Sequence, residues 1–317
     1  MRITNKYSLP APLVNAVTAT RHEPDDDPNS IRVSGIIQPV QLRALMKRHE
    51  DQLEEDAADR IFSLMGTLLH DVLEKSAQSF DHCTTEEALS TEILGWKVTG
   101  HYDLTEFILD GEWLTDWKLT SVYAMKDKDL KSEWDAQVNI YAHLLRLSGK
   151  IVSKAQIVAI GRDWSRSRAS RESDYPQRQV IVKPVPLWSS EAVNAYLHER
   201  VALHQRADRE GVWPECTEEE RWARPAKWAI MKKGNKKATK LCDDQSEANR
   251  WINNNIADSH AHLYQLEHRP GSSTRCESYC PVSEHCEQWA KLKPSLSNQL
   301  EESIKIASDS KLGLIPY

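Results

Sequence analysis

The sequence has no uninterrupted apolar stretch long enough to cross a bilayer and no signal-peptide pattern, so the expectation is a cytoplasmic protein with no membrane role. It has no internal repeat, which excludes a solenoid. It has no Walker A pattern and no helicase motif, so any unwinding of a duplex must come from a separate protein. A global basic surplus is missing too: with 41 Lys and Arg against 47 Asp and Glu, the formal charge of -6 argues against wholesale coating of nucleic acid.

Positive charge is present locally. Between 224 and 240, seven basic residues and no acidic one surround Trp228, Ile230, Met231 and a Gly234-Asn235 turn, which predicts a basic hairpin over 224–241. A second basic stretch, Arg162, Arg166, Arg168 and Arg171, lies between two expected strands, 155–160 and 179–185. Each patch reads either as a solvated charged face or as a sequence-independent phosphate contact. Eleven tryptophans are more than this length leads one to expect; most suit a core, and Trp164 is the first candidate for stacking on a base.

The densest chemistry lies in Gly100-His101-Tyr102-Asp103 followed by Thr115-Asp116-Trp117-Lys118. Asp110-Gly111 is a two-residue hairpin signal between apolar and aromatic residues. With that turn pair, Asp103 falls opposite Lys118 and diagonal to Asp116. Asp116 and Lys118 then share one face while Trp117 points to the other. Such partners sit roughly 5 to 8 Å apart. Two carboxylates at that range repel unless a cation separates them, and oxygen donors of this kind suit Mg²⁺ or Mn²⁺. With the lysine to hold or polarise water, this is the minimal kit for metal-dependent phosphodiester cleavage; an ordinary surface ion pair is the plain alternative.

Upstream, residues 66–74 have helical periodicity that puts His70 and Glu74 on one face, with His70 a competent ligand for Mn²⁺ and Glu74 a solvated helix residue. Downstream, 130–147 predicts a helix stopped by Gly149, with Trp134, Gln137 and Tyr141 on a shared stripe. A core helix explains the two aromatics. It does not explain Gln137, whose amide needs partners that a nucleic acid backbone or base edge can supply.

This order of elements resembles the PD-(D/E)XK nuclease superfamily, in particular its RecB-like branch, which includes the AddB nuclease domain, the CRISPR adaptation nucleases and a group of phage exonucleases. The residues that carry the resemblance are His70, the GxxD aspartate Asp103, the D-x-K pair Asp116 and Lys118, and the Q-x-x-x-Y pair Gln137 and Tyr141, in order over about seventy residues. It implies an α/β fold with a restriction-endonuclease-like mixed central sheet flanked by helices. It further implies that His70, Asp103, Asp116 and the backbone carbonyl of Trp117 hold one or two Mg²⁺ or Mn²⁺ ions. Lys118 then orients the nucleophile, while Gln137 and Tyr141 position the strand. The expected activity is hydrolysis of DNA from an end, on single strands or duplex ends, in phage or bacterial recombination or repair, with a helicase or recombinase as a possible partner and the host cytoplasm as location for a phage-encoded chain. The competing expectations are an endonuclease of the CRISPR-adaptation type and a non-cleaving DNA-binding accessory protein.

Cysteine forms the second constellation. Cys276, Cys280 and Cys286 make a C-x3-C-x5-C cluster, and in a cytosolic chain clustered thiols favour metal over disulfides. Cys216 is the best fourth ligand. Cys242 and Cys83 sit inside apparent secondary elements, where a buried thiol is unremarkable, and His285 is a possible substitute better read as a surface residue. The resemblance implies a [4Fe-4S] cluster stapling the end of the domain to its body; a structural Cys₄ zinc site would use the same ligands. These signals interleave, so the expectation is a single nuclease domain over 31–290 that includes the hairpin and the 276–286 cluster. A flexible arm (1–30) should precede it and a tail (291–317), amphipathic at 300–306, should follow. Residues 31–60 are expected to be mostly helical and to roof the site, their acidic run at 50–59 being a solvated face or a mimic of DNA.

Overall fold

The computed structural model describes residues 1–19, 27–126 and 129–293 and divides the chain into two compact units, Met1–Trp213 and Pro214–Tyr317. The expected amphipathic segment at 300–306 and part of the expected arm lie outside the described residues.

The first unit opens with β1 (Arg2–Thr4), α1 (Ala11–Thr18), β2 (Ser30–Arg32), α2 (Val33–Ile36), α3 (Val40–Arg48), β3 (Glu54–Asp56) and the long α4 (Ile61–Ala77). Five strands follow: β4 (Cys83–Thr84), β5 (Ala88–Ile93), β6 (Trp96–His101), β7 (Leu104–Ile108) and β8 (Gly111–Thr120). Then come α5 (Val122–Lys126), α6 (Ser132–Leu147), β9 (Val152–Gly161), α7 (Arg166–Ala169), β10 (Val180–Val185) and α8 (Ser190–Glu210). The central sheet runs β10-β9-β8-β7-β4. It is mixed, because β8 and β9 are parallel while the other neighbours are antiparallel. A parallel pair requires a crossover, and α6 supplies it. Ile140, Leu144 and Leu145 of α6 share one buried core with Leu114 of β8 and Ile157 and Ala159 of β9. A smaller sheet, β2-β6-β5, joins that core through Ile31, Leu89, Ile93 and Val98. This is the mixed α/β architecture expected.

The hairpin differs in register from the expectation. Leu104 pairs with Thr115 and Ile108 with Gly111, so the two turn residues are Leu109 and Asp110 rather than Asp110 and Gly111. Leu109 adopts φ +37° and is fully exposed. Gly111, at φ +139°, already belongs to the strand, where an added Cβ would lie 2.5 Å from the Ile151 carbonyl. Crowding by the neighbouring segment thus consumes the glycine, and the turn moves back one residue. Each partner shifts by two positions, so the faces are unchanged and Asp103 stands opposite Asp116, one step beyond the ladder.

Residues 31–60 are mostly helical, as expected, with α2, α3 and the 3₁₀ turns Glu50–Gln52 and Ala57–Arg60 interrupted by β2 and β3. One further expectation changes. Part of the acidic run is structural, because β3 pairs in parallel with β1 and the Asp56 carboxylate accepts hydrogen bonds from the Lys6 and Ala58 amides and the Thr4 hydroxyl. Residues 2–4 are thereby tied to the body of the unit. A helix does run from 132 to 147, stopped where Gly149 turns left-handed at φ +89°.

The second unit contains β11 (Ala223–Arg224), β12 (Lys227–Lys232), β13 (Lys240–Cys242), α9 (Gln245–Asn255), α10 (Asp258–Ala261), β14 (Tyr264–Arg269), β15 (Ser272–Ser273) and α11 (Thr274–Ser278). β12 and β13 form the expected hairpin, extended by β14 to a three-stranded sheet, and α9 covers it by packing Ala248, Trp251 and Ile252 on Ile230 and Cys242. Cys242 is therefore a core thiol. Among the described residues no helix is long and apolar enough to cross a membrane.

Candidate active site

Asp103 owes its position to a change of sheet. β6 ends at His101 in the small sheet, β7 starts at Leu104 in the central one, and the chain passes between them through the fully buried Tyr102. Asp103 sits at that crossing. Its Oδ2 accepts from the Trp117 amide at 2.7 Å, and its Oδ1 lies 3.1 Å from His70 Nδ1 on α4. The GxxD spacing has a steric basis as well: Gly100 passes so close to α6 that a Cβ would stand 2.7 Å from Tyr141 Cε1.

On β8, Asp116 is only 2% exposed and Lys118 lies over it, Nζ to Oδ2 2.7 Å. Lys118 also donates to Gln137 Oε1 on α6, 2.7 Å away, and Gln137 is hydrogen-bonded in turn to Tyr141. The partner Gln137 needs is therefore inside the protein, not supplied by nucleic acid. Burial pushes Asp116 up to about 6; Lys118 opposes that shift, nearby Asp103 adds to it, and His70 lowers it. Burial likewise raises Tyr141 well above the usual phenol range.

One carboxylate in this group has no sequence signature. Glu86, in the loop between β4 and β5, adopts φ +52°, a conformation that non-glycine residues enter only under constraint. Its amide donates to the Tyr102 carbonyl at 3.1 Å. One ligand atom each from His70, Glu86 and Asp103 falls within 4.8 Å of the other two. The positive φ of Glu86 leaves no mark in the amino-acid order. Glu74, one helical turn after His70, does not line the cleft.

The cleft itself, about 370 Å³, is lined by Gly66, Thr67, His70, Glu86, His101, Asp103, Trp117, Lys118 and Leu119, with Asp116 behind its wall. A larger depression of about 480 Å³, at Asp27, Asn29, Ser90, Thr91 and Lys97, gathers none of the predicted residues. One imidazole and three carboxylates, one of them destabilised by burial beside another, are a donor set that a hard divalent cation relieves. The residues fit Mg²⁺ or Mn²⁺.

The Trp164 expectation does not survive. Its indole N–H donates to the Pro176 carbonyl at 2.8 Å, and the ring packs half-buried against the core. The adjacent arginines are engaged: Arg162 stacks over Phe62 at 4.0 Å, Arg168 is paired with Glu172, and Arg171 bonds to Ser167.

In the second unit Cys216 meets the C-terminal cluster. Gln288 clamps it on both sides, accepting from its amide at 2.9 Å and donating to its carbonyl at 2.8 Å. Burial, then Glu220 and the other three thiols, push Cys216 up to about 12, and burial with Cys280 and Cys286 pushes Cys276 up to about 11. Cys280 is raised in the same way, although the Val282 amide donates to its sulfur. No disulfide is formed by any of the six cysteines. Thiols gathered around Cys216 can bind a metal by exchanging protons for it, and the donor set fits a thiolate-bound metal centre.

A family model described as the PD-(D/E)XK nuclease superfamily matches residues 40–287. No curated protein matches. Among solved structures, the protein SSO0001 is similar at 15% identity, covering 60% of this chain and 82% of that one, with a TM-score of 0.40. A candidate exonuclease from Eubacterium rectale is similar at 12% identity, covering 55% of this chain and 64% of that one, with a TM-score of 0.31.

Proposed function

This chain belongs to the PD-(D/E)XK nuclease superfamily, and from that premise we propose that it is an Mg²⁺- or Mn²⁺-dependent deoxyribonuclease of the RecB-like type that degrades DNA from an end. The observation that carries the reading is the convergence of His70, Glu86 and Asp103 in one cleft beside the buried Asp116–Lys118 pair. His70, Glu86, Asp103, Asp116 and the Trp117 carbonyl would hold the metal, which would supply Lewis-acid polarisation of a scissile phosphate and a more acidic water. Lys118 presents its ammonium at the rim of the cleft, where it orients the nucleophile and meets charge developing on phosphate oxygens. Gln137 fixes Lys118 from behind, and Tyr141 braces Gln137, so this pair acts through the lysine.

For the second unit we propose a [4Fe-4S] cluster on Cys216, Cys276, Cys280 and Cys286, with Cys₄ zinc as the competing occupant. The approach of Cys216 to the other three thiols supports a thiolate-bound centre, and the resemblance to the RecB-like nucleases favours the cluster over zinc. The family match over 40–287 runs through both units, which supports reading 31–290 as one nuclease.

The test is digestion of end-labelled linear and circular DNA, single- and double-stranded, with Mg²⁺ or Mn²⁺, by wild type and Asp116→Ala purified without air. Loss of linear DNA only, absent in the variant, is the expected result and reads polarity from the label. Cleavage of circles makes the enzyme an endonuclease. DNA binding without any cleavage by metal-loaded wild type would make it an accessory protein and overturn the proposal.

A further inference from the structure

The short strand β4 is the edge of the central sheet, and its register sets Cys83 directly opposite Glu106 on β7. His82, just before the strand, is held over the same edge: its carbonyl accepts from the Phe107 amide at 2.8 Å, and its ring stands edge-on to Phe80 with centroids 5.9 Å apart. One ligand atom each from His82, Cys83 and Glu106 lies within 4.8 Å of the other two. His82 is exposed and the other two are half-buried, so the donors converge where an ion can reach them from solvent. Neither the catalytic cleft nor the C-terminal thiol group uses any of the three.

A thiolate, an imidazole and a carboxylate form a borderline-soft donor set, unlike the oxygen-rich catalytic cleft. We propose that His82, Cys83 and Glu106 bind a Zn²⁺ ion that clips the edge strand β4 to β7, with three protein ligands and water in the fourth position. Zinc bonds of about 2.0 to 2.3 Å in tetrahedral array ask these donors to close by roughly 1 Å, a movement side-chain rotation supplies. Binding releases the thiol proton to solvent. Cys83 lies three residues before Glu86, and Glu106 three after Asp103. The clip therefore joins the two segments that deliver those carboxylates to the cleft, and its occupancy steadies the strained loop at Glu86. Zinc binding is independent of the nuclease reading; only that effect on Glu86 rests on it.

The experiment follows alkylation of Cys83 by peptide mass spectrometry in the full chain, stripped of weakly held metal and then given Zn²⁺ or Mg²⁺. Zn²⁺ should slow labelling of Cys83 by about tenfold or more and Mg²⁺ should not, because a coordinated thiolate is no longer a free nucleophile. His82→Ala and Glu106→Gln should each restore labelling in Zn²⁺. Equal labelling with and without Zn²⁺, whether fast or slow, overturns the site. So does protection that survives both substitutions, since it would assign the metal to Cys83 without its partners. Because the readout is the Cys83 peptide, failure of the nuclease reading leaves it untouched.

Discussion

At the residue scale, Asp116 carries two opposed demands. A metal ligand must be ionised, yet burial raises its pKa to about 6, so the folded protein binds its proton more tightly than the unfolded chain does. The sign follows from linkage. Stability from this group is fully present below the ordinary carboxylate value and is lost as pH rises through about 6. Asp116→Asn should therefore make the metal-stripped protein more stable at pH 8 by about 1 to 3 kcal/mol. The gain should shrink toward pH 5, as thermal unfolding at the two pH values would reveal. The same substitution should lower cleavage about a thousandfold. A variant less stable than wild type at pH 8 would mean that Lys118 already compensates the buried charge. The spacing of Asp116 and Lys118 is legible in the sequence, but the burial that sets this conflict comes from helices such as α4 and α6 packed against β8.

At the element scale, the GxxD and Q-x-x-x-Y motifs prove to be one contact. Gly100 on β6 lies against the Tyr141 ring on α6, and an added methyl would meet Cε1 at 2.7 Å and Val33 at 3.0 Å. Tyr141 is buried and its hydroxyl is bonded to Gln137, so the ring cannot swing aside. Gly100→Ala should therefore cost about 1 to 3 kcal/mol of stability. It should also slow cleavage by displacing α6, and with it the Gln137–Lys118 hydrogen bond. Combining Gly100→Ala with Tyr141→Leu should recover part of the stability and none of the activity. Additive losses in a double-mutant cycle would show that the two residues do not press on each other. Periodicity placed α6 correctly because helical pattern and a glycine stop are local signals. The hairpin turn lies one residue before the position its local signal predicts, because the crowding of Gly111 by Ile151 comes from a distant segment.

At the scale of the whole molecule, a chain with net charge -6 keeps its positive charge in patches, and the β12–β13 tip exposes Lys232, Lys233, Lys236 and Lys237. In the Asp116→Ala background, Lys236→Glu with Lys237→Glu should weaken DNA binding and flatten its dependence on salt, by about 0.7 to 0.9 in logarithmic slope for each phosphate that the loop no longer neutralises. An unchanged slope would return this loop to an ordinary solvated face. The arginine stretch at 162–171 is a poorer candidate, since Arg162, Arg168 and Arg171 already have partners within the fold.

The family, the mixed α/β architecture and the assignment of chemistry to elements are legible in the amino-acid order alone. His70 lies on a helix, Asp116 and Lys118 share a strand face, and three cysteines are clustered, because periodicity, turn chemistry and spacing act over a few residues. What those groups meet is a matter of long-range packing. Glu86 reaches His70 and Asp103 through a left-handed residue in an unpatterned loop, Cys216 reaches a trio about sixty residues away through Gln288, and Gln137 is satisfied by Lys118. Each is a contact between segments distant in the chain, fixed by the packing of sheets and helices around a common core, and packing of that kind leaves no periodic trace in the amino-acid order.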